Sequence, residues 1–550
     1  MIKTKEPSTY NVIIIFSVLV TLIITSWVNK DSMIIPKVAL IFLCASYLLP
    51  KVIFSISGVL KFREFNVLLF IVTLIITQII LVTLFSEAPF EQQLFGRTGR
   101  GLGIITEISL LIVVLASAIF VTRKNVRLLL IGITVSALIS SIYSIFQSFG
   151  IDFLQWESKT NGVIGTLGNP NFQSSFAALA LIPTIVIFWT NKYRVVGTIF
   201  FGLIIVFTIY RTQSTQGYVS ALAALSLFAI AVTAKKSKFI TLILIFATFI
   251  AGVIAILGML NKGPLNQYLY KISVQSRGDF WRSAFATAND NPFFGVGIDS
   301  FGDWYLKYRD LIAISHPWAE YTDNAHNYLL NYAATAGYPM LLLQVSLILL
   351  TVFCIIQTLR KIERIDFNLI ALFTTWTVFQ LQSFISPGNI PLMVWNSIIM
   401  GSIIGISILA LNDLDELIPI KRQIASNSNA MSFLSMLCAT IIIYPLFNTD
   451  RLQLKAMQTG NGDLAIISAK QYPESVLRYQ IITRELLNSN LPGPALDLAR
   501  SAVKFNPNSA NLWALVVINP IAPKEERLSA KAEILKLDPL NKEVKEFVIK

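Results

Sequence analysis

Two histidines and a few arginines hold most of the reactive potential of this 550-residue chain, and they sit in its polar interruptions. The longest interruption runs from Ser276 to Pro339. It opens with Arg277-Gly-Asp-Phe-Trp281-Arg282 and passes through Asn291-Pro-Phe-Phe-Gly-Val-Gly297-Ile-Asp-Ser-Phe301. It closes with His326-Asn327 and Ala336-Gly-Tyr-Pro339. Arginine forks match phosphate oxygens two at a time and stay charged in a dry site. Histidine accepts a hydroxyl proton near neutral pH. Together these types suit chemistry on an anionic substrate. Arg277 and Arg282 are five apart, a poor match for one helix face, so one is expected at a site and the other at lipid headgroups. His326 reads either as a base or as a polar residue at headgroup level, next to a helix cap from Asp323 or Asn324. His316 precedes Pro317 in weaker context. Two histidines ten apart, without patterned carboxylates or cysteines, make no zinc site.

Smaller interruptions add polar groups. Arg97 and Arg100 lie in Phe95-Gly-Arg-Thr-Gly-Arg-Gly-Leu-Gly103. These glycines are not a nucleotide fingerprint, because no strand precedes them and an apolar span follows. Arg211 separates two short apolar runs, and an ionisable residue there is a functional candidate. Asn169-Pro-Asn171 forms a turn at the start of another run, with Asn171 or Ser174 as cap. Outward backbone donors there suit an anion or sugar, or merely a capped helix. Gln380, Gln382 and Trp395 lie within runs, lining a groove or bonding between helices.

The elements that must position these residues are membrane helices. The composition is 54% hydrophobic and 14% charged, and apolar runs of spanning length recur through the first 450 positions. Spans are expected near 11–28, 33–50, 66–84, 103–121, 128–149, 172–190, 195–210, 217–234, 239–259, 326–357, 367–384, 392–411 and 431–447. A β-barrel would alternate polar and apolar residues instead. The fold class is therefore all-α, a polytopic membrane protein of about thirteen spans. Lys3 and Lys5 precede the first run without a small-residue cleavage site, which reads as a retained helix. The three cysteines, Cys44, Cys354 and Cys438, all lie in apolar runs and form no framework.

The net charge of +13 does not indicate nucleic acid, because the basic residues occupy alternate short loops. Lys3 and Lys5, Lys51, Lys61 and Arg63, Arg123, Lys124 and Arg127, Lys192 and Arg194, Lys235, Lys236 and Lys238, Arg360, Lys361 and Arg364, and Lys421 and Arg422 mark one side as cytoplasmic. Lys30, Arg97, Arg100, Lys159 and Arg211 are sparser on the other. This orientation puts the loop of about 260–325 and the C-terminal segment outside. The short runs around Arg211 are its weak point: as one re-entrant element they would flip everything beyond. Residues 1–447 form the membrane domain, and 448–550 have soluble composition. Pro473, Pro507 and Pro539 end three similar blocks 34 and then 32 positions apart, a tetratricopeptide-like period.

In order, Gly168-Asn169-Pro-Asn171, Thr212-Gln-Ser214, Arg277…Trp281, Asn291-Pro…Gly295-Val-Gly297…Phe301 and His326-Asn327…Gly337 resemble the O-antigen ligase and polymerase superfamily of bacterial membrane glycosyltransferases. The resemblance covers most of residues 30–410. It implies a glycan donor on undecaprenyl diphosphate, an outer-face arginine pair on the diphosphate and a loop histidine in catalysis. Arg277 and His326 inherit those roles by position. Arg211, Arg282, Arg97, Arg100, Asn169, Asn171, Gln216 and Asn327 are the further candidates for diphosphate or glycan binding. No metal or other cofactor is implied. One departure is clear: many members have an arginine directly after Thr-x-Ser, where this chain has Thr215-Gln216-Gly217. Either Arg211 supplies that charge or Gln216 replaces it.

The expected function is transfer or polymerisation of lipid-linked glycan at the outer face of the bacterial cytoplasmic membrane. The acceptor is a glycan, a lipid or a protein, and membrane lipids and a protein held by the C-terminal repeats are further partners. A flippase for the same lipid is the alternative, but no paired broken halves are visible. A non-catalytic membrane-anchored scaffold would leave the outer arginines and histidine unexplained.

Overall fold

The computed structural model describes residues 8–154, 162–189, 194–316, 321–418 and 426–549. Lys3, Lys5, Lys159, Lys192, Pro317, Lys421 and Arg422, used above, lie outside them. Among the described residues there are twenty-four α-helices and no strand. The first ten are α1 (Thr9–Leu22), α2 (Ile35–Ile56), α3 (Arg63–Phe85), α4 (Phe90–Phe95), α5 (Ile104–Phe120), α6 (Asn125–Ser148), α7 (Pro170–Trp189), α8 (Arg194–Thr212), α9 (Thr215–Thr233) and α10 (Lys238–Met259). The polar loop carries α11 (Asn266–Leu269), α12 (Ile272–Asp290), α13 (Phe301–Tyr308) and α14 (Leu311–Ser315). Then follow α15 (Tyr328–Lys361), α16 (Phe367–Ser383), α17 (Ile390–Leu411) and α18 (Ser426–Thr459). The chain ends in α19 (Gly462–Lys470), α20 (Val476–Asn488), α21 (Pro492–Phe505), α22 (Ala510–Val517), α23 (Lys524–Leu537) and α24 (Lys542–Glu546).

Each expected span coincides with a helix. Ten of these helices are long and apolar enough to cross a membrane. α1 and α5 are shorter apolar helices of 14 and 17 residues, and α16 has 17. At 1.5 Å per residue α1 reaches only about 21 Å, less than the hydrocarbon thickness. α8 and α9 have 19 residues each, longer than expected, with the chain breaking at Gln213.

α17 is the axis of the membrane region: only its last residue, Leu411, and no other, is not fully buried. It packs on α5 through glycines. A Cβ on Gly401 would lie 2.2 Å from the Val114 carbonyl oxygen, and one on Gly405 2.4 Å from that of Ala118. Small residues let the two backbones approach this closely. α10, by contrast, exposes nearly all of its side chains, as a peripheral, lipid-facing helix would.

The span expected at 326–357 differs in one respect. Gly337 interrupts α15 with φ 78°, ψ 171°, leaving a short helix before the long one. The Asn291–Gly297 segment docks against this break. Val296 N–H donates to Ala334 O at 3.0 Å and Gly297 N–H to Thr335 O at 3.0 Å. Tyr338 N–H returns a bond to Pro292 O. Gln78 of α3 reaches in, and its amide serves the carbonyls of Phe293 and Ala336 at 2.7 and 2.9 Å. Gly295 must be glycine here: its φ is 60°, and a Cβ would collide with Thr335.

The polar loop is folded. One buried apolar cluster joins Phe280, Phe301, Tyr305 and Ala325 of the loop to Val476, Tyr479, Leu498 and Leu512 of the C-terminal helices. Arg309 adds an ion pair to Asp538 at 2.9 Å, and Asn506 reaches Asp303 at 3.1 Å.

Candidate active site

α12 lies in the loop, and its position relative to the α8–α9 break is tied by Lys271, whose amine donates to Gln213 O at 2.5 Å. Six residues further along α12 sits Arg277. Its residue is 7% exposed, it has no carboxylate partner among the described residues, and its Nε is buried without a hydrogen-bond partner. Burial pulls its guanidinium down to about 10, so it still carries its charge at neutral pH. Trp281, one helical turn on, also buries an indole N–H with no partner. Two orphaned buried donors at i and i+4 mark one face of α12. Orphaned donors are costly to bury, and a bound anion would satisfy both.

His326 faces the same helix. Its ring lies 5.2 Å from that of Phe280, three residues after Arg277. It stands just before α15 with φ 52°, a left-handed conformation uncommon outside glycine. Asn324 holds it there: its Oδ1 accepts from the His326 N–H at 2.9 Å, and its carbonyl lies 3.0 Å from Nδ1. A carbonyl only accepts, so Nδ1 carries the proton and Nε2 keeps its lone pair. Burial, reinforced by Arg100 and Arg277 and opposed by the Asn324 carbonyl and Asp323, lowers the imidazole pKa to about 4. The ring is therefore neutral and basic at pH 7. The helix cap is neither Asp323 nor Asn324, as expected above, but Asn327, whose Oδ1 accepts from Leu330 N–H at 3.0 Å. Asp323 is occupied by Arg100, and Asn324 by His326 itself.

The other arginines are engaged. Arg282 points away from Arg277, half exposed, and bonds Asp279 and Asp310 at 2.6 Å each. Arg97 donates to Asp303 at 2.9 Å and to the Tyr321 hydroxyl at 2.5 Å. Arg100 grips Asp323 with two bonds, at 2.9 and 2.7 Å. Despite burial, Arg100 holds the Asp323 carboxyl down to about 2. Asp299 accepts from the backbone N–H of Arg97 and Leu102, and burial pushes it up to about 7. The 95–103 loop is thus stitched to the polar loop by carboxylates that its own sequence does not reveal.

The remaining candidates form helix joints. Arg211 donates to Ser148 O and lies over the Phe149 ring, with no carboxylate partner among the described residues. Asn169, not Asn171 or Ser174, caps α7, its Oδ1 accepting from Asn171 N–H at 2.8 Å. Asn171 instead accepts from the Ser214 hydroxyl at 2.7 Å, joining the two motifs. A Cβ on Gly217 would fall 2.5 Å from that of Ser174, so glycine lets α9 close on α7. Gln216 donates to Gln382 at 2.9 Å, Gln380 to Asn396 at 2.9 Å, and Trp395 to Thr21 at 2.9 Å. These polar residues bond between helices.

Sequence reasoning placed Trp281 in a motif without giving it a role, and it missed the carboxylates. An indole four residues after an arginine was the available signal for the first. The partners of Arg97 and Arg100 lie some 200 residues away, and no local pattern announces them.

The fold and this face together define a multi-pass helical membrane protein with a buried, uncompensated cation beside a neutral histidine. Residues 200–345, from α8 into α15, match the model of the O-antigen ligase family, which supports the O-antigen ligase superfamily for this part of the chain. The matched stretch contains Arg211, Gln216, Arg277, Arg282, His326 and Asn327 and excludes the C-terminal helices. It points to O-antigen ligase or polymerase-type glycosyl transfer in polysaccharide biosynthesis, with lipid-linked glycan and acceptor as substrates, in a multi-pass inner-membrane protein. No curated protein matches the chain.

Proposed function

We propose that the protein transfers glycan from undecaprenyl diphosphate to an acceptor hydroxyl at the extracytoplasmic face of the cytoplasmic membrane, with inversion and without a metal. The observation that carries this reading is the α12 face: a buried Arg277 with no carboxylate, next to an orphaned Trp281 N–H and a neutral His326. The acceptor oxygen attacks the anomeric carbon from the face opposite the diphosphate. The carbon–oxygen bond to phosphate breaks, the diphosphate leaves with the bonding pair, and His326 Nε2 takes the acceptor proton. Diphosphate is already a stabilised leaving group, so positioning and charge complementarity supply most of the acceleration. Arg277 and Trp281 hold the diphosphate, and Arg211 is the second cation available to it. Next to Arg211, a cavity of ≈ 890 Å³ lined by Phe200, Phe207, Tyr210, Tyr218 and Leu222 suits the polyprenyl tail. In this reading the tetratricopeptide-like C-terminal helices lie outside as well and recruit the acceptor or a partner protein.

Purified full-length protein in nanodiscs, given the source cells' lipid-linked glycan, tests this. New glycosidic bonds with inverted anomeric configuration are expected; a protein that moves the lipid between leaflets without forming bonds refutes transfer. Orientation is tested separately. Glu525 is exposed, and Glu525→Cys should react with a membrane-impermeant thiol reagent in intact, wall-stripped cells. Reaction only after lysis reverses the assigned face.

A further inference from the structure

We infer that the cavity between the membrane region and the C-terminal helices is a carbohydrate subsite, binding the uncharged sugar part of a glycan; the assignment to an acceptor rests on the transfer reading above. The cavity measures ≈ 480 Å³, within the usual span of small-ligand sites. Its walls come from the α1–α2 loop, the 98–100 turn, the start of α7, the loop before α17, and α18 and α20. Of the lining residues only Asp323 lies within the family match, so the cavity is built almost wholly from the rest of the chain.

Charge indicates what fits. Lys30, Arg100 and Arg478 line the cavity together with Asp31, Asp323 and Asp450, so it has no net charge. Several of these groups are engaged with protein atoms. Arg100 holds Asp323, Asp450 accepts from the Asp31 N–H at 3.0 Å, and Arg478 donates to Ser468 O and Pro473 O. A diphosphate would favour the uncompensated Arg277 over this balanced wall. A polyprenyl tail would leave the polar groups without water. A polyol both donates and accepts, and fits a wall of mixed sign.

Asn389 is the second, independent pointer. It is 5% exposed and lines the cavity. Its Nδ2 donates to Leu167 O at 3.4 Å, and its buried Oδ1 has no partner. A buried amide oxygen without a donor is rare, and a sugar hydroxyl supplies that donor. Asn169 adds a further amide to the lining, and Phe172 an apolar ring. Asp323 belongs both to this wall and to the turn that carries His326 three residues later. Asp323 thereby links the wall of this cavity to the turn that carries the histidine. The C-terminal helices contribute to substrate choice, beyond recruiting partners.

The test uses full-length protein in nanodiscs and a phosphate-free oligosaccharide released by mild acid from the source cells' lipid-linked glycan. Binding is read by saturation-transfer difference NMR. Leu477→Trp fills the cavity from the C-terminal side, where Leu477 is 40% exposed, and leaves the membrane helices untouched. It should weaken binding at least tenfold with an unchanged thermal midpoint. Asn389→Leu should weaken it about tenfold. Arg277→Ala should leave it unchanged, because the probe has no phosphate. Absence of binding to the wild type, wild-type affinity in Leu477→Trp, or loss of binding in Arg277→Ala would each overturn the assignment. If the wild type binds the probe as described but forms no product from the lipid-linked glycan, the transfer reading falls and the subsite stands. If it forms product while binding ignores Leu477→Trp, the subsite alone falls.

Discussion

The 95–103 loop and α12 present the same side chain to opposite surroundings. Arg97 and Arg100 in the loop are mostly buried, and each meets a carboxylate, Asp303 or Asp323. Arg277 in α12 is buried too and meets none among the described residues. Buried ion pairs broken on one side are strongly destabilising, so the loop arginines belong to the architecture. A cation buried alone raises the energy of the unliganded protein, and an anionic ligand recovers it. Basic residues near a membrane surface thus separate into those that hold the fold and those that await a ligand, and their acidic partners decide which is which.

The comparison breaks most sharply at Arg277. Arg277→Ala should remove a buried charge partner worth about 2–5 kcal/mol. That is a roughly 30- to 5,000-fold loss of kcat/KM on the lipid-linked donor. Membrane insertion and thermal midpoint should not fall, because no carboxylate is left unpaired. Arg277→Lys should recover little, since an ammonium cannot fork across two oxygens. A well-folded Arg277→Ala with wild-type turnover removes the anion site from α12.

Next in size is His326→Gln, with an expected loss of roughly 100-fold in single-turnover rate and donor affinity retained. The pH profile sharpens it. His326 accepts a proton only when neutral, so activity should fall as pH drops through its pKa. Burial with Arg100 and Arg277 moves that point to about 4, away from the ordinary 6.5. The wild type should therefore stay active through pH 6, where an unperturbed histidine would already be mostly protonated. An acid limb that rises instead, with weakened donor binding in His326→Gln, would show the ring acting as a cation on the diphosphate. Unchanged single-turnover rates in His326→Gln would remove it from the chemical step.

How far these features were legible in the sequence depends on range. Membrane helices are written in contiguous apolar runs, and every expected span coincides with one, from α1 to α18. Boundaries fared worse, because caps are chosen by competition among neighbours. Asn327 caps α15 because Asp323 and Asn324 are committed elsewhere. The break at Gly337 falls inside the span expected at 326–357. Its stability depends on Gln78 and the Asn291–Gly297 segment, tens to hundreds of residues away. At the candidate site, Arg277 and His326 stood out by type, while the orphaned state of Arg277 is a property of packing alone. The engagement of Arg282 by Asp310 is likewise tertiary.

Trp281 carries the comparison to a neutral donor. Trp281→Phe keeps the ring and removes only the orphaned N–H. Hydrogen bonds to charged groups are worth about 1.5–3 kcal/mol, and a partly buried indole is placed near the lower end. The expected loss is roughly tenfold, read as a raised KM for the lipid-linked donor with kcat little changed. Because the N–H has no protein partner, its removal should raise the thermal midpoint slightly in the absence of donor. A lower midpoint with unchanged KM would mean that the indole serves packing alone.

The smallest effect is expected at Arg282, five residues from Arg277 on the same helix. Its side chain is 43% exposed and already shared by Asp279 and Asp310. Exposed pairs contribute about 0–1 kcal/mol, because solvent screens them and two side chains must be ordered. Arg282→Ala should therefore change kcat/KM by no more than about fivefold, with a small drop in thermal midpoint that added salt narrows. Asp279 keeps a contact with His316 at 2.9 Å, so its buried carboxylate is not stranded. The double variant Asp310→Asn, Arg282→Ala should match the single one, since asparagine keeps the cap on the Ala313 N–H and both changes remove the same bridge. A loss at Arg282 as large as that at Arg277 would mean that the diphosphate displaces both carboxylates and is held by the two arginines together. Ion pairing in the unliganded protein would then no longer distinguish architecture from site.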